Sequence, residues 1–302
     1  MTAISLRKIA KKNPVFWHAN AMRRTRSSEQ RRNMDMNRFG IDSQTVFGMP
    51  PGDHIDLAAR LGCGHISIGL APVPWRLPQF APWSLRDVRS ARLEVVQRAD
   101  DKGICLSLGE GFAIRPGSSV AALDKDLDFM GEMGVIAVGT VAIETDPARA
   151  MDELAILASM THDRGLGLYL EFAPPHAFPG LQHALGALDA LGSPHAKLII
   201  DAMHLFRCGN SAEQVAQLDP QLLGRVQMSD AAMVGPGKPY MEEACFERSL
   251  PGEGELPLEA LAAALPPHVP VCLEAPNRIE APDIASLEDY AGRAMRQVRA
   301  LF

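Results

Sequence analysis

From Phe39 onward, apolar runs and amphipathic stretches alternate with little interruption. RFGIDSQTVFG reads as a strand, and the HIDLAARLG that follows it spaces its apolar residues as a helix does. CGHISIGL, ICLSLGEG and VIAVGTVAIET are further strand-like runs, separated by the helix-like VRSARLEVVQRADDKG and VAALDKDLDFMGEMG. In DPARAMDELAILASMTHDRG, Asp146 is the expected N-cap, Pro147 lies in the first turn and Gly165 is the stop. Four more apolar runs follow, LYLE, KLIID, RVQ and VCLE; they are continuous rather than alternating, as buried parallel strands are. The last helix, SLEDYAGRAMRQVRALF, opens on a pattern resembling a capping box, Ser286 with Asp289. Eight strands alternating with helices in one chain of 302 residues predict a (β/α)8 TIM barrel, with a doubly wound sheet as the alternative.

The four late runs end on Glu171, Asp201, Gln227 and Glu274. One carboxylate after an apolar run is ordinarily a helix cap or turn residue. Four oxygen-bearing side chains in succession would meet at the C-terminal rim of neighbouring parallel strands, where a barrel places its chemistry. Acids gathered there repel one another and lose solvation, and a divalent cation is the natural compensation. Three carboxylates and an amide form a hard, all-oxygen set, which favours Mg²⁺ or Mn²⁺ over Zn²⁺.

Composition agrees with one enzyme-sized globular domain, 47% hydrophobic and 22% charged, and no apolar stretch is long enough to span a bilayer. The five cysteines show no CxxC pairing, which predicts reduced thiols and a cytoplasmic location. Residues 1–36 carry nine Lys/Arg against Glu29 and Asp35. They are expected to be a basic extension without fixed structure, or sequence upstream of a true start at Met34 or Met36, with a transit-like presequence or an electrostatic arm as alternatives. Residues 37–302 are then a single catalytic domain. Because the body is acidic, a nucleic-acid partner is not expected. The expected partner is a small-molecule substrate, with a homo-oligomer open.

LYLEFAPP, LIIDAMHLF, RVQMSDA, PGEGELP and VCLEAPN, in that order, resemble the second half of the xylose-isomerase-like TIM barrels, the sugar isomerase/epimerase superfamily. The group is similar to hydroxypyruvate isomerases, ketose 3-epimerases, inosose dehydratases and 3-dehydroshikimate dehydratases. The resemblance implies that Glu171, Asp201, Gln227 and Glu274 are metal ligands and that Glu171 and Glu274 exchange a substrate proton. It also implies that His204, three residues after Asp201, and Arg248, just before PGEGELP, contact substrate. Two features depart from many epimerase relatives: glutamine stands at 227 where they have histidine, and HISIGL offers Ser67 where they often have glutamate.

These residues imply a divalent-metal-dependent isomerase or epimerase of a small polyhydroxy carbonyl compound, acting through an enediolate. The alternative is a metal-dependent lyase of the 3-dehydroshikimate or inosose dehydratase type, since elimination of water begins with the same proton abstraction. A nuclease of this fold would need a histidine-rich zinc cluster and a basic groove. Around the site, APVPWRLPQFAPW sets Trp75, Phe80 and Trp83 about Arg76 and reads equally as an apolar lid or as rim packing. The glycine-bearing segment from Val234 to Glu255 has the length of a substrate lid, and His176 is read as a solvated loop histidine.

Overall fold

A computed structural model describes residues 37–73 and 75–302; the expectation for residues 1–36 lies outside the described residues. Eight strands, β1 (Phe39–Ile41), β2 (His65–Ile68), β3 (Cys105–Gly109), β4 (Ala137–Val141), β5 (Gly167–Glu171), β6 (Ala196–Asp201), β7 (Leu223–Met228) and β8 (Val271–Leu273), close into one parallel barrel. Closure is direct: Phe39, Gly40 and Ile41 of β1 pair with Val271, Cys272 and Leu273 of β8. The α-helices between them are α1 (Pro51–Arg60), α2 (Arg89–Lys102), α3 (Asp124–Glu132), α4 (Pro147–His162), α5 (Leu181–Leu191), α6 (Ala202–Arg207), α7 (Ala212–Ala216), α8 (Tyr240–Phe246), α9 (Leu258–Ala264) and α10 (Ile284–Ala300).

Local chemistry sets the helix ends. Asp146 caps α4 by accepting from the backbone N–H groups of Ala148 and Arg149, with Pro147 at the first position where no donor is needed. The capping box of α10 lies one turn earlier than the sequence pattern placed it: Asp283 is the N-cap and Ser286 its reciprocal partner. Asp283 satisfies the free N–H of Ser286, so Ser286 and Asp289 are already inside the helix. The first strand is also shorter than RFGIDSQTVFG implied. It stops at Ile41, and residues 43–48 turn back over the rim.

The barrel interior is filled by side chains, and close approach explains two glycines. A Cβ at Gly224 would lie 2.8 Å from the Tyr169 ring, and one at Gly40 would lie 2.5 Å from Cys272 Sγ. Both neighbours project into the space a side chain would take. Buried among them is Arg225 of β7, which forms an ion pair with Asp42 and donates to Ser107 Oγ at 2.8 Å. His54 on α1 and His65 at the start of β2 are pushed down to about 4 by burial, with the Arg225 charge adding to the effect.

Two consequences follow for stability. Arg225→Met leaves Asp42 buried without its counter-ion and should cost about 3–5 kcal/mol in urea unfolding, while removing Asp42 as well should recover part of that loss. The two histidines bind fewer protons folded than unfolded between the ordinary imidazole value of 6.5 and about 4. Their contribution is therefore complete above pH 6.5 and is lost as pH falls toward 4, by about 3 kcal/mol for each imidazole at the limit. His54→Gln should flatten that part of the stability profile; an unchanged slope would refute the assignment.

Candidate active site

Strands β5 and β6 end on Glu171 and Asp201, Gln227 is the penultimate residue of β7, and Glu274 directly follows β8. All four stand at the C-terminal rim, staggered as the strands of a tilted barrel require. Asp201 is level with Gln227, and Glu171 is level with Ile199, two residues below Asp201 along β6. Asp201 is also the N-cap of α6: its Oδ1 accepts from the His204 N–H at 2.8 Å, while its Oδ2 is ion-paired with Arg248. The cap fixes the carboxylate and places His204 above it.

Two groups of possible ligands result. Glu171, Asp201 and His204 bring one donor atom each within 4.8 Å of one another, and Asp42, Glu110 and Glu274 do the same. Gln227 belongs beside the second group, its Nε2 donating to Asp42 Oδ2 and to Glu274 Oε1, each at 3.0 Å. Arg248 stands between the groups. It is ion-paired with Asp201, lies 3.4 Å from Glu274 Oε2, and donates to the Ala244 carbonyl at 2.6 Å and to Ser229 Oγ at 3.1 Å. His204 Nε2 lies 3.5 Å from Glu171 Oε1, and its Nδ1 is 2.6 Å from the Tyr240 hydroxyl.

Asp42 and Glu110 escaped the sequence reading, although the signal that marked the later acids was present. GID and SLGEG are also apolar runs closing on an acid, but the first was read as mid-strand and the second as running on to its glycine. Ser43 and Ser67 help hold Glu110, directly after β3, from the turn after β1 and from β2.

The electrostatics of this floor are unbalanced. Five carboxylates (Asp42, Glu110, Glu171, Asp201, Glu274) face two buried guanidiniums (Arg225, Arg248). Burial and then the Asp201 charge push Glu171 up to about 8; burial and then Asp42 push Glu110 up to about 7; burial drives Glu274 well above the usual carboxylate range against the pull of Arg248. Burial acts in the same direction on Asp201, but Arg248 and His204 outweigh it and hold Asp201 low. His204 is pushed down to about 4 by burial and stays neutral at pH 7. Gln227 Oε1 and Glu110 Oε1 are buried with no partner among the described residues. Uncompensated acid and an unused amide oxygen suit a divalent cation, and each of the two groups offers donors of the kind such an ion takes; the four expected ligands are divided between them, Glu171 and Asp201 in the first and Gln227 and Glu274 in or beside the second.

Glu110, Glu171, Gln227 and Glu274 line a cavity of about 370 Å³ that opens past Trp83, Arg86 and Arg115. The loop after β2 both packs and lines. Trp75 stands edge-on to Phe47 at 4.5 Å and to Phe246 at 6.1 Å, Phe80 is buried, and Trp83 donates from its ring nitrogen to the Gly48 carbonyl at 3.0 Å. The segment from Val234 to Glu255 is not structureless: it contains α8, tied to α6 by Arg207 and Glu243 at 2.8 Å. His176 is partly buried rather than solvated, and its charge is felt by His204. No helix among the described residues is long and apolar enough to cross a membrane.

The fold is shared by solved structures of low sequence identity. A xylose isomerase-like TIM barrel/4-hydroxyphenylpyruvate dioxygenase fusion protein superposes with a TM-score of 0.72 at 19% identity over 88% of this chain, which spans only 42% of the fusion. The IOLI protein with a bound zinc atom gives 0.67 at 16% identity, covering 87% of this chain and 95% of that one. D-psicose 3-epimerase from Clostridium cellulolyticum H10, solved with D-tagatose, gives 0.64 at 15% identity, covering 87% and 98%. No curated protein matches at a significant level. A family model described as xylose isomerase-like TIM barrel matches residues 55–301, spanning every strand but the first together with Glu110, Glu171, Asp201, Gln227 and Glu274 of the rim. This chain belongs to the xylose isomerase-like TIM barrel family.

Proposed function

We propose that this chain is a divalent-metal-dependent isomerase or epimerase of a small polyhydroxy carbonyl compound. The observation that carries the reading is the cavity floor, where Glu171 and Glu274 come from separated strands and the Gln227 amide between them keeps an unpartnered oxygen. An epimerase and a zinc-binding protein among the structural neighbours support it. Mg²⁺ or Mn²⁺ suits the oxygen ligands; His204, close to Glu171 and Asp201, adds a nitrogen that zinc would also accept.

A divalent ion at this site supplies Lewis-acid polarisation to adjacent carbonyl and hydroxyl oxygens. The chain's own residues do the rest. Ionised once a cation offsets the burial and the Asp201 charge that otherwise keep it protonated, Glu171 takes the proton from the carbon next to the carbonyl, and the C–H electrons pass to the carbonyl oxygen, giving an enediolate. Return of a proton to the neighbouring carbon, with the hydroxyl proton passing to the former carbonyl oxygen, completes an isomerisation; return to the same carbon from the opposite face, by Glu274, completes an epimerisation. His204, held at Nδ1 by the Tyr240 hydroxyl, turns Nε2 toward Glu171 and would orient that carboxyl; its contact with a substrate oxygen is part of the proposal. Arg248 keeps Asp201 ionised and limits the repulsion between Asp201 and Glu274. Its contact with substrate is part of the proposal.

Glu110 favours a second reading. A dehydratase needs an acid to protonate the departing hydroxyl, and Glu110 is a third carboxyl group on the same cavity.

Asp201→Ala should abolish stoichiometric uptake of Mg²⁺ or Mn²⁺ in calorimetric titration while the barrel remains folded by circular dichroism; retained stoichiometric metal would remove the ligand assignment. In deuterated water, the true substrate should acquire deuterium at the carbon beside the carbonyl, and Glu171→Gln or Glu274→Gln should slow this by at least ~100-fold. Product mass then separates the readings, since an isomer keeps the substrate's mass apart from deuterium and a dehydration product lacks one water. Exchange that survives both variants would move the base elsewhere, to His204 or Glu110.

A further inference from the structure

The cavity is electrically polar along its depth. Its floor carries Glu110, Glu171 and Glu274, and its mouth carries two arginines that reach it from different loops. Arg86 is already engaged: Nε and Nη2 lie 2.8–3.0 Å from the Asp126 carboxylate. Arg115 is not. Among the described residues its guanidinium has no hydrogen-bond or ion-pair partner, whereas its backbone is firmly held. The Ile114 N–H donates to the Val141 carbonyl at 2.9 Å, and the Glu144 N–H donates back to the Ile114 carbonyl at 3.0 Å. Arg149, ion-paired with Glu144, donates from Nη1 to the Arg115 carbonyl at 3.1 Å and from Nη2 to the Ser118 carbonyl. The loop is thus anchored on both sides of a side chain that is left free at the cavity mouth.

A planar fork of N–H donors on a pinned loop, above a cavity of this size, is suited to the paired oxygens of a carboxylate or the oxygens of a phosphate. A purely neutral polyol would leave that fork unmatched. An anionic group paired with that fork is held at the mouth, which leaves the opposite end of the substrate to meet Glu171 and Glu274.

We propose that Arg115 is the specificity-determining residue for an anionic substituent, so that the substrate is a polyhydroxy carbonyl compound bearing a carboxylate or phosphate at the end remote from the carbonyl. This rests on the reading of the floor as the reacting end, and it deepens that reading by naming the substrate class.

The test is calorimetric binding to the full-length chain supplied with Mn²⁺, using three probes that share one carbon skeleton: D-tagatose, D-tagaturonate and D-tagatose 6-phosphate. One of the two anions should bind at least ~10-fold more tightly than the neutral sugar, the usual scale of a hydrogen-bonded charge contact. Which anion it is separates carboxylate from phosphate. Arg115→Ala, on an exposed loop and checked for an unchanged thermal midpoint, should reduce that preference to less than ~2-fold without altering the affinity for D-tagatose. Arg115→Lys should keep part of it, and Arg86→Ala should cost less than Arg115→Ala. Equal binding of the three probes, binding of none, or a preference that survives Arg115→Ala would overturn the proposal. Mn²⁺ uptake, measured in the same titrations, keeps the two readings apart: an Arg115-dependent preference in a chain that takes up no metal would sink the metal-dependent reaction and leave the anion site standing.

Discussion

Negative charge crowded into the mouth of a closed barrel is the constraint on which the rest of this structure depends. Asp42, Glu110, Glu171, Asp201 and Glu274 converge from five different strand ends, and closure of β1 on β8 leaves them little room to separate. Carboxylates brought this close, and stripped of water, cannot all remain ionised without cations. Arg225 answers from inside the barrel and Arg248 from the segment after β7, and each is buried against the acid it neutralises. What they leave uncompensated appears as the raised Glu110, Glu171 and Glu274.

The same constraint links architecture to chemistry. Arg225 fixes Asp42, Asp42 accepts one N–H of the Gln227 amide, Glu274 accepts from the same nitrogen, and the amide oxygen is thereby left unused. On the other side of the mouth, the Asp201 cap starts α6 and sets His204 beside Glu171, with the Tyr240 hydroxyl from α8 on its far nitrogen. An interior ion pair, a helix cap and a loop helix therefore share the work of orienting the groups of one rim. Restraint of this kind lowers the reorganisation that a reaction would otherwise require.

Much was legible in the chain itself. Continuous apolar runs ended by an acid or an amide marked β5 to β8 and their rim residues, because a strand buried on both faces must be apolar until it emerges at the mouth. Family membership followed from the order of short motifs around those same ends. Less legible was the first half. The acid of GID lay inside a run that looked like one long strand, and nothing local shows that β1 is three residues long, since its end is set by the turn that carries residues 43–48 over the rim. The Ser286 pattern misplaced a cap for a related reason: Asp283 and Ser286 satisfy each other, and only backbone geometry shows where helical dihedrals begin.

Hydrophobic period, caps and strand-ending acids determined the fold class, the run of elements from β5 onward and four of the rim residues, because these are properties of neighbours along the chain. Tertiary structure alone decided that Arg225 lies inside the barrel against Asp42, that Arg248 stands between Asp201 and Glu274, that Glu110 joins the floor from the end of β3, and that Arg115 is left unpaired among the described residues at the cavity mouth. Pairings of this kind join residues far apart in sequence, and they form only when closure of the barrel brings the strand ends and their loops to one place. There, burial and Coulomb repulsion decide which charges must find partners.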